Sequence, residues 1–390
     1  MQKKLQLLLA LLVFVVTSAM AQITTSGISG KISSNGETVI GATVTATHQP
    51  SGTVYRAVTN VDGRYTIQGM RPGGPYKVSI SYIGYKDKVF NNVSLSLGET
   101  ENISCSLQED AHQLQEVVVS GKAGLAASRT GAATSMTAEQ INNMPSITHG
   151  IADVARLNPQ LTVTNSGNMS FAGTNNRYNN FMIDGAANND VFGLASSGNN
   201  GGQAGAQPVS METIEQIQVS VAPFDVRQSG FTGGAINAIT KSGTNKFHGS
   251  AYYYGYNQDL IGTKYPYLDG TGYAPKYQKQ TQYNMGVTLG GPIIKNKLFF
   301  FANYERTNKE YPNLYGVDSG NSKVNTEQAK DIMNMLQKMA EKQGVAFNDY
   351  FSNQDIYTKS DKAGLKLDWN INEFNKFAIR WSLVKAEQLS

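Results

Sequence analysis

Residues 214–250 read IEQIQVSVAPFDVRQSGFTGGAINAITKSGTNKFHGS. One β-prone run, Ile214-Glu215-Gln216-Ile217-Gln218-Val219, leads through Pro223 and a glycine-bearing turn into a second, Gly234 to Lys241. Proline and paired glycines punctuate the backbone and β-branched residues suit a pleated surface, so the stretch reads as two strands joined by a turn. What lies on either side decides what such a pair is for.

Upstream, over residues 122–243, the pattern is mixed. Thr137-Ala-Glu-Gln140 is a capping box, with a hydroxyl for the N–H three residues on and a Gln reaching back, and Pro145 stops the short helix it starts. Ile151, Val154, Ala155 and Leu157 recur at helical spacing and predict a second helix ending before Pro159. Strand-like QLTVTN, SFAG and YNNFMIDG follow, then a Gly/Ser/Asn-rich stretch, 193–207, and a helix start at Ser210-Met-Glu-Thr213. The Gly-rich stretch lacks the GxxxxGK[ST] order of a phosphate loop and reads as a loosely ordered loop.

Downstream, over 244–390, the period is two. Tyr283, Met285, Val287 and Leu289 alternate with small or polar residues, as do Ala363, Leu365, Leu367 and Trp369, and then Phe377, Ile379, Trp381 and Leu383. Charges such as Lys366, Asp368 and Arg380 stay on the opposite face. In KLFFFANYER, Phe299 and Phe301 depart from the rule, as an aromatic girdle at a membrane interface would allow. A soluble sandwich with one wet face gives the same alternation, so connection lengths are the better guide. Residues 294–297 and 370–375 are short turns, whereas 257–282 and 306–359 are long loops, the second with a helix predicted at Thr326–Lys342. Outer-membrane barrels alternate short periplasmic turns with long external loops in this way. Five strands are expected, beginning near Phe247, Tyr283, Leu298, Ala363 and Lys376. A bacterial outer-membrane barrel needs an even number of at least eight, so these are expected to be the first five strands of an incomplete antiparallel transmembrane β-barrel, the chain being the N-terminal part of a longer one.

The N-terminal part adds a compartment and a third unit. Lys3 and Lys4 precede the apolar run Leu5–Val16 and Ala19-Met20-Ala21 offers small residues for cleavage, so residues 1–21 are expected to be a secretory signal peptide. No later stretch is long and apolar enough for a spanning helix. Residues 22–110 give short alternating segments at about ten-residue spacing, with Asn35-Gly36 and Asp62-Gly63 at hairpin turns. Tyr65, Ile67, Tyr76, Val78 and Ile80 share one face and predict the core of a small antiparallel sandwich. The fold class is therefore mainly β: an N-terminal β-sandwich, an α+β unit and the start of the barrel.

Composition excludes other classes. The 33 Lys+Arg against 29 Asp+Glu show no basic block, which sets nucleic acid aside as a partner. A single cysteine, Cys105, allows no internal disulfide. The four histidines, His48, His112, His149 and His248, are scattered and read as surface or turn residues, not zinc ligands. Asp184-Gly-Ala-Ala-Asn188-Asn189-Asp190 lacks the spacing and terminal Glu of a calcium loop and reads as a turn. No metal, cofactor or catalytic constellation emerges, and no enzyme activity is expected.

The motifs also carry a resemblance. Ile214, Glu215, Ile217, Val219, Pro223, Gly233, Gly234, Ile236, Asn237, Ile239, Thr240 and Lys241 resemble the end of the plug domain of TonB-dependent outer-membrane receptors, and Ile183-Asp184-Gly185 resembles its apical-loop motif. GATVTA, TNVDGRYTI and PYKVSISYIGYK resemble the carboxypeptidase-regulatory-like domain, a carbohydrate-binding-like sandwich. Together they look most like the Oar-like branch, with SusC-like glycan importers as near relatives. The chain departs from the plug pattern where the family often has Arg-Gly before the proline: here stand Val221-Ala222, with Asp225 and Arg227 nearby as substitutes.

The resemblance implies a receptor in the outer membrane, with the sandwich in the periplasm, for energised uptake of an oligosaccharide, peptide or chelate. It also implies TonB with its inner-membrane motor, outer-membrane lipid, an external nutrient and a surface lipoprotein lid as candidate partners. Residues near 173–207 and the tyrosines at 252–256, 265–273 and 311–315 are candidates for gripping the ligand. Glu116-Val117-Val118-Val119-Ser120, within LQEVVVSG at 114–121, matches the TonB box, and 111–121 is assigned to that segment. The same valines also read as the last strand of the sandwich. Two other readings stay open: an adhesin or surface carbohydrate-binding protein anchored by the barrel, and a secreted hydrolase with an accessory sandwich.

Overall fold

The computed structural model describes residues 23–109, 117–119, 132–146, 149–164, 168–190, 192–195, 197–221, 231–260, 279–313, 317, 323–347 and 355–389. The signal-peptide segment, Glu116, Ser120, Gly121, His112, Ala222, Pro223, Asp225 and Arg227 lie outside them, as do Tyr265–Tyr273 and Tyr315.

Nine strands build the sandwich: β1 (Ser26–Ser34), β2 (Glu37–Thr38), β3 (Thr43–His48), β4 (Thr53–Val58), β5 (Arg64–Met70), β6 (Gly73–Ser81), β7 (Lys88–Leu95), β8 (Thr100–Asn102) and β9 (Cys105–Ser106). One sheet runs β2-β1-β5 with β8 and β9 also on β1, and the other places β4, β3, β6 and β7 side by side. Asn35 and Gly36 both take positive φ, 50° and 88°, which a two-residue hairpin turn requires for its twist to match the strands. The five residues predicted to share the inner face are all in the core, with Ile28, Ile32 and Val44 from the facing strands. His48 corrects the surface reading. It is 5% exposed, its Nδ1 lies 2.7 Å from Ser51 Oγ, and its ring centroid lies 4.9 Å from that of Tyr76. Beyond β9, Val117–Val119 forms β10, which adds in parallel to Lys88–Phe90 at the edge of the second sheet.

The middle unit comprises β11 (Ala132–Thr137), α1 (Ala138–Asn143), α2 (Ile151–Ala155), β12 (Leu161–Val163), β13 (Met169–Phe171), β14 (Asn180–Ile183), β15 (Ala186–Ala187), β16 (Ile214–Val221) and β17 (Gly234–Thr240). The expected capping box is present at α1, while Leu157 falls beyond α2 and is exposed. The helix start at Ser210 is a single 3₁₀ turn, Met211–Thr213, before β16 begins. The two runs of the opening stretch pair as antiparallel β16 and β17 at the centre of a sheet ordered β11-β16-β17-β14-β15. Ile217 and Val219 enter a core with Phe171, Phe181, Ile183 and Ile236. Glycine is required at 234, where a Cβ would collide with the Phe171 ring.

The last unit is a meander of β18 (His248–Asn257), β19 (Thr281–Ile294), β20 (Leu298–Tyr311), β21 (Ile356–Asn370) and β22 (Lys376–Leu389), with α3 (Thr326–Gln343) in the loop between β20 and β21. Consecutive strands pair antiparallel and the sheet is open. Its two faces decide between a soluble sheet and a barrel. Val287, Leu289, Trp369, Ile379, Trp381 and Leu383 are about half exposed, whereas Asn284, Thr288, Glu305, Lys362 and Lys366 are buried. Apolar side chains outside and polar ones inside are the inverse of a soluble core and the arrangement of a lipid-facing barrel. No described helix is long and apolar enough to cross a membrane.

Two expectations change here. Phe299 and Phe301 are 1% and 2% exposed and point inward with Glu305, so they pack inside instead of forming a girdle. Strand β21 also starts seven residues before Ala363, because Ile356–Lys362 is polar on both faces and shows no apolar period.

Candidate functional site

The residues of the Ile183-Asp184-Gly185 motif meet the barrel wall. Ile183 ends β14 in the core of the middle unit, and Asp184 and Gly185, at φ 48° and 80°, form the tight turn into β15. That turn aims the Asp184 carboxylate across the end of β17. Oδ1 accepts from Thr240 N at 2.9 Å and Oδ2 from Thr240 Oγ1 at 2.6 Å. Two barrel cations close on the same carboxylate: Lys366 Nζ lies 3.3 Å from Oδ1 and Arg380 Nε 3.4 Å from Oδ2. Lys366 also donates to the Thr240 carbonyl at 3.0 Å.

This charge arrangement has a physical reason. Lys366 and Arg380 are direct partners across β21 and β22. Like charges placed opposite each other on one face repel. A single carboxylate between them, with side-chain exposures of 11% to 20% across the three groups, offsets that repulsion and ties the middle unit to the wall.

A second contact lies farther along the strands. Glu305 and Lys362 are also cross-strand partners, and their ion pair at 2.6 Å is almost fully buried. The other Glu305 oxygen accepts from Ser210 Oγ at 2.6 Å and Tyr252 OH at 2.8 Å. Ser210 belongs to the middle unit, so the pair is again capped from within. Glu212 accepts from Tyr254 OH at 2.9 Å, and His149 stacks on the Tyr254 ring with centroids 3.7 Å apart. Tyr252 and Tyr254 thus serve this contact.

The other singled-out residues are dispersed. Asn237 on β17 and Glu215 on β16 face the sandwich, the Glu215 carboxylate lying over Gly73. The Lys241 N–H donates to Thr213 O at 2.7 Å, and Gly233 precedes β17. At the outer end of the unit Tyr178, Phe192 and Leu194 are exposed. Asp190 accepts from the N–H groups of Ala195 and Phe192, and the Ala195 bond first holds its carboxyl below the ordinary aspartate range. The described part of the Gly/Ser/Asn-rich stretch contains short turns, with the 3₁₀ segment Gly202–Ala204 among them.

In the sequence Lys366 and Arg380 stand only as charges on the polar face of their strands and Ser210 only as a helix start, while Glu305 and Lys362 carry no reading at all, so none of the five is marked as a site residue. Their signal was a charge on the lumen-facing phase of a strand, where each buried cation needs a carboxylate.

Comparison with known proteins adds the following. Three domain families match in order: Carboxypeptidase regulatory-like domain over residues 27–108, TonB-dependent Receptor Plug Domain over 126–236, and Outer membrane beta barrel domain over 239–317. The TonB-dependent transporter Oar of Myxococcus xanthus is 29% identical over 273 residues, covering 67% of this chain and 24% of that protein. The probable TonB-dependent siderophore receptor PirA of Acinetobacter baumannii is 25% identical over 188 residues, covering 44% and 22%. The chain therefore spans about a quarter of the length of these relatives. The crystal structure of that PirA aligns with a TM-score of 0.44 at 20% identity, covering 66% of this chain and 32% of that one.

Proposed function

The chain belongs to the TonB-dependent outer-membrane receptors that carry an N-terminal carboxypeptidase-regulatory-like domain, and from that premise we propose that it serves energised uptake of an external nutrient. It is an outer-membrane protein, and its relatives are transporters and receptors, not enzymes. The nutrient is an oligosaccharide, a peptide or a chelate, gripped by the outer end of the plug and the long loops. The exposure of Tyr178, Phe192 and Leu194 supports that assignment, since exposed large apolar side chains are available to a ligand. The matched proteins give a lipoprotein lid no support.

The observation that carries the reading is the Asp184 carboxylate held between Lys366 and Arg380. A plug kept in place by ion pairs and hydrogen bonds is held firmly at rest yet can be withdrawn without breaking a covalent bond. The pull would come from TonB in the periplasm, at Glu116-Val117-Val118-Val119-Ser120. A β-prone segment can add to the sheet edge of another protein through backbone N–H and C=O groups, with little side-chain specificity. The pairing of Val117–Val119 with Lys88–Phe90 supports this capacity, because the segment already lies extended along a sheet edge. The sandwich reaches the short turns between barrel strands, through Arg56 to Glu373, Thr53 to the adjoining Asn370 and the close approach of Gly52 to Asn296, and this is the periplasmic end of such barrels, which supports its assignment to the periplasm.

The test is substrate accumulation in cells producing the protein. Uptake is expected to collapse on deletion of TonB and with Val118→Pro, which removes a backbone donor from the strand. Uptake that survives both changes would exclude this mechanism and leave the barrel as an anchor.

A further inference from the structure

One face of the plug sheet is polar. On β16, Ile217 and Val219 enter the plug core, while Gln216, Gln218 and Ser220 fall on the opposite phase, next to Asn237 of β17. In a plug standing alone these amides would meet water. Here Gln216 is 1% exposed, Gln218 7% and Asn237 2%, because the sandwich covers them.

The covering contact is specific. Gln216 Oε1 accepts from Leu97 N at 2.5 Å and its Nε2 donates to Leu95 O at 3.3 Å. Gln218 Nε2 donates to Leu97 O at 3.0 Å, and Asn237 Nδ2 donates to Ile23 O at 2.6 Å. Ile23 and Leu97 bury their side chains against Ile239 of the plug. Each bond joins a plug amide to sandwich main chain, so the two bodies are fixed in position and register. Buried amides of this kind are costly once their partners leave.

A second arm reaches the barrel. Arg71 Nη2 lies 3.5 Å from Asp368 Oδ2, Arg56 Nη1 lies 2.6 Å from Glu373 Oε1, and Lys376 Nζ sits 3.5 Å from the centre of the Tyr55 ring. Asn370 Nδ2 donates to Thr53 Oγ1 at 2.9 Å. Between the two arms the sandwich, plug and wall line a half-open cavity of about 420 Å³ that includes Arg71, Asp184, Glu215, Lys366 and Asp368. Two arms that are mainly polar, with a single small apolar contact at Ile23, Leu97 and Ile239, make a separable joint, whereas a permanent one would be extensively packed and apolar.

We propose that the sandwich is a periplasmic brace, which straps the polar face of the plug to the barrel rim and holds the channel shut at rest without any help from TonB. The plug is then retained by two independent fastenings, the Asp184 contact within the barrel and the brace beneath it.

The test uses the protein in its own outer membrane in cells lacking TonB, so that it stands apart from the uptake mechanism. Arg71→Glu, Asp368→Arg and the double swap are compared with Gln216→Leu/Gln218→Leu, which keeps the plug core. Permeability is read as sensitivity to an antibiotic too large for ordinary porins, and local opening as amide exchange at Leu97 in the purified protein. Arg71→Glu and the double Leu variant are expected to raise sensitivity severalfold and to speed Leu97 exchange by roughly tenfold or more. The charge swap is expected to restore both, as a direct pair requires. Wild-type values in both single-arm variants, or a swap that restores neither, would overturn the brace.

Discussion

Asp184→Asn probes the plug contact most directly. The change keeps the shape of the side chain and one acceptor for the Thr240 N–H, but removes the negative charge that both Lys366 and Arg380 approach. At about 3.3 Å and an effective dielectric of ~20, each pair contributes roughly 5 kcal/mol of gross Coulomb attraction, most of it offset by desolvation. What remains is the cost of leaving two facing cations uncompensated in a half-dry lumen, about 3 kcal/mol by the usual cost of breaking a buried pair. The assay is amide exchange at Thr240, whose N–H the carboxylate accepts, in the intact protein without ligand. Exchange is expected to accelerate by roughly a hundredfold, the equivalent of about 3 kcal/mol. Lys366→Met alone should do less, because it also removes the repulsion with Arg380, and Asp184→Asn/Lys366→Met should recover part of the loss. A loss within about 0.5 kcal/mol for Asp184→Asn, the range of an ordinary surface change, would refute the lock.

Two further predictions follow from the cores. Gly234→Val would drive a side chain into the Phe171 ring and should destabilise the plug by about 1–3 kcal/mol, seen as faster exchange across β16 and β17 with the sandwich unaffected. His48 gives a pH dependence: burial, and then the Arg71 charge, lower its pKa from 6.5 to about 3. The unfolded chain therefore binds a proton below about 6.5 that the folded sandwich refuses until about 3, so its contribution is full at neutral pH and is lost as pH falls through that window. The loss between pH 7 and pH 5 should be about 2 kcal/mol, and His48→Gln should flatten the dependence of sandwich amide exchange over the same range.

Much of this fold was legible because its signals are local. Asn35-Gly36 writes a hairpin turn, Thr137 to Gln140 a helix start, and the alternation from Tyr283 to Leu289 a two-faced strand. Where the local signal is absent the reading stopped short. The first half of β21 carries polar residues on both phases, since at the outer end of the barrel neither face meets hydrocarbon. His48 was misjudged for a related reason: a lone histidine in a turn-rich segment looks like surface, and only the packing of Tyr76 against it shows otherwise.

The site was half legible, and the half that was missed lies between units. Asp184 was marked by its motif, but the partners that give it a task are nearly two hundred residues away, and nothing in the spacing of Lys366 or Arg380 names the residue they meet. Gln216 and Gln218 carried a misleading signal. Their alternation with Ile217 and Val219 describes a strand with a wet face, which holds for the plug as an isolated unit. That face stays polar after the sandwich covers it because its partners are main-chain N–H and C=O groups, which only a hydrogen-bonding surface can satisfy. A leucine there would pack against the sandwich at the cost of those groups, and the plug could then leave only by exposing new apolar area. Polar residues at this interface make release reversible, because water can take over on both sides whenever the two bodies part.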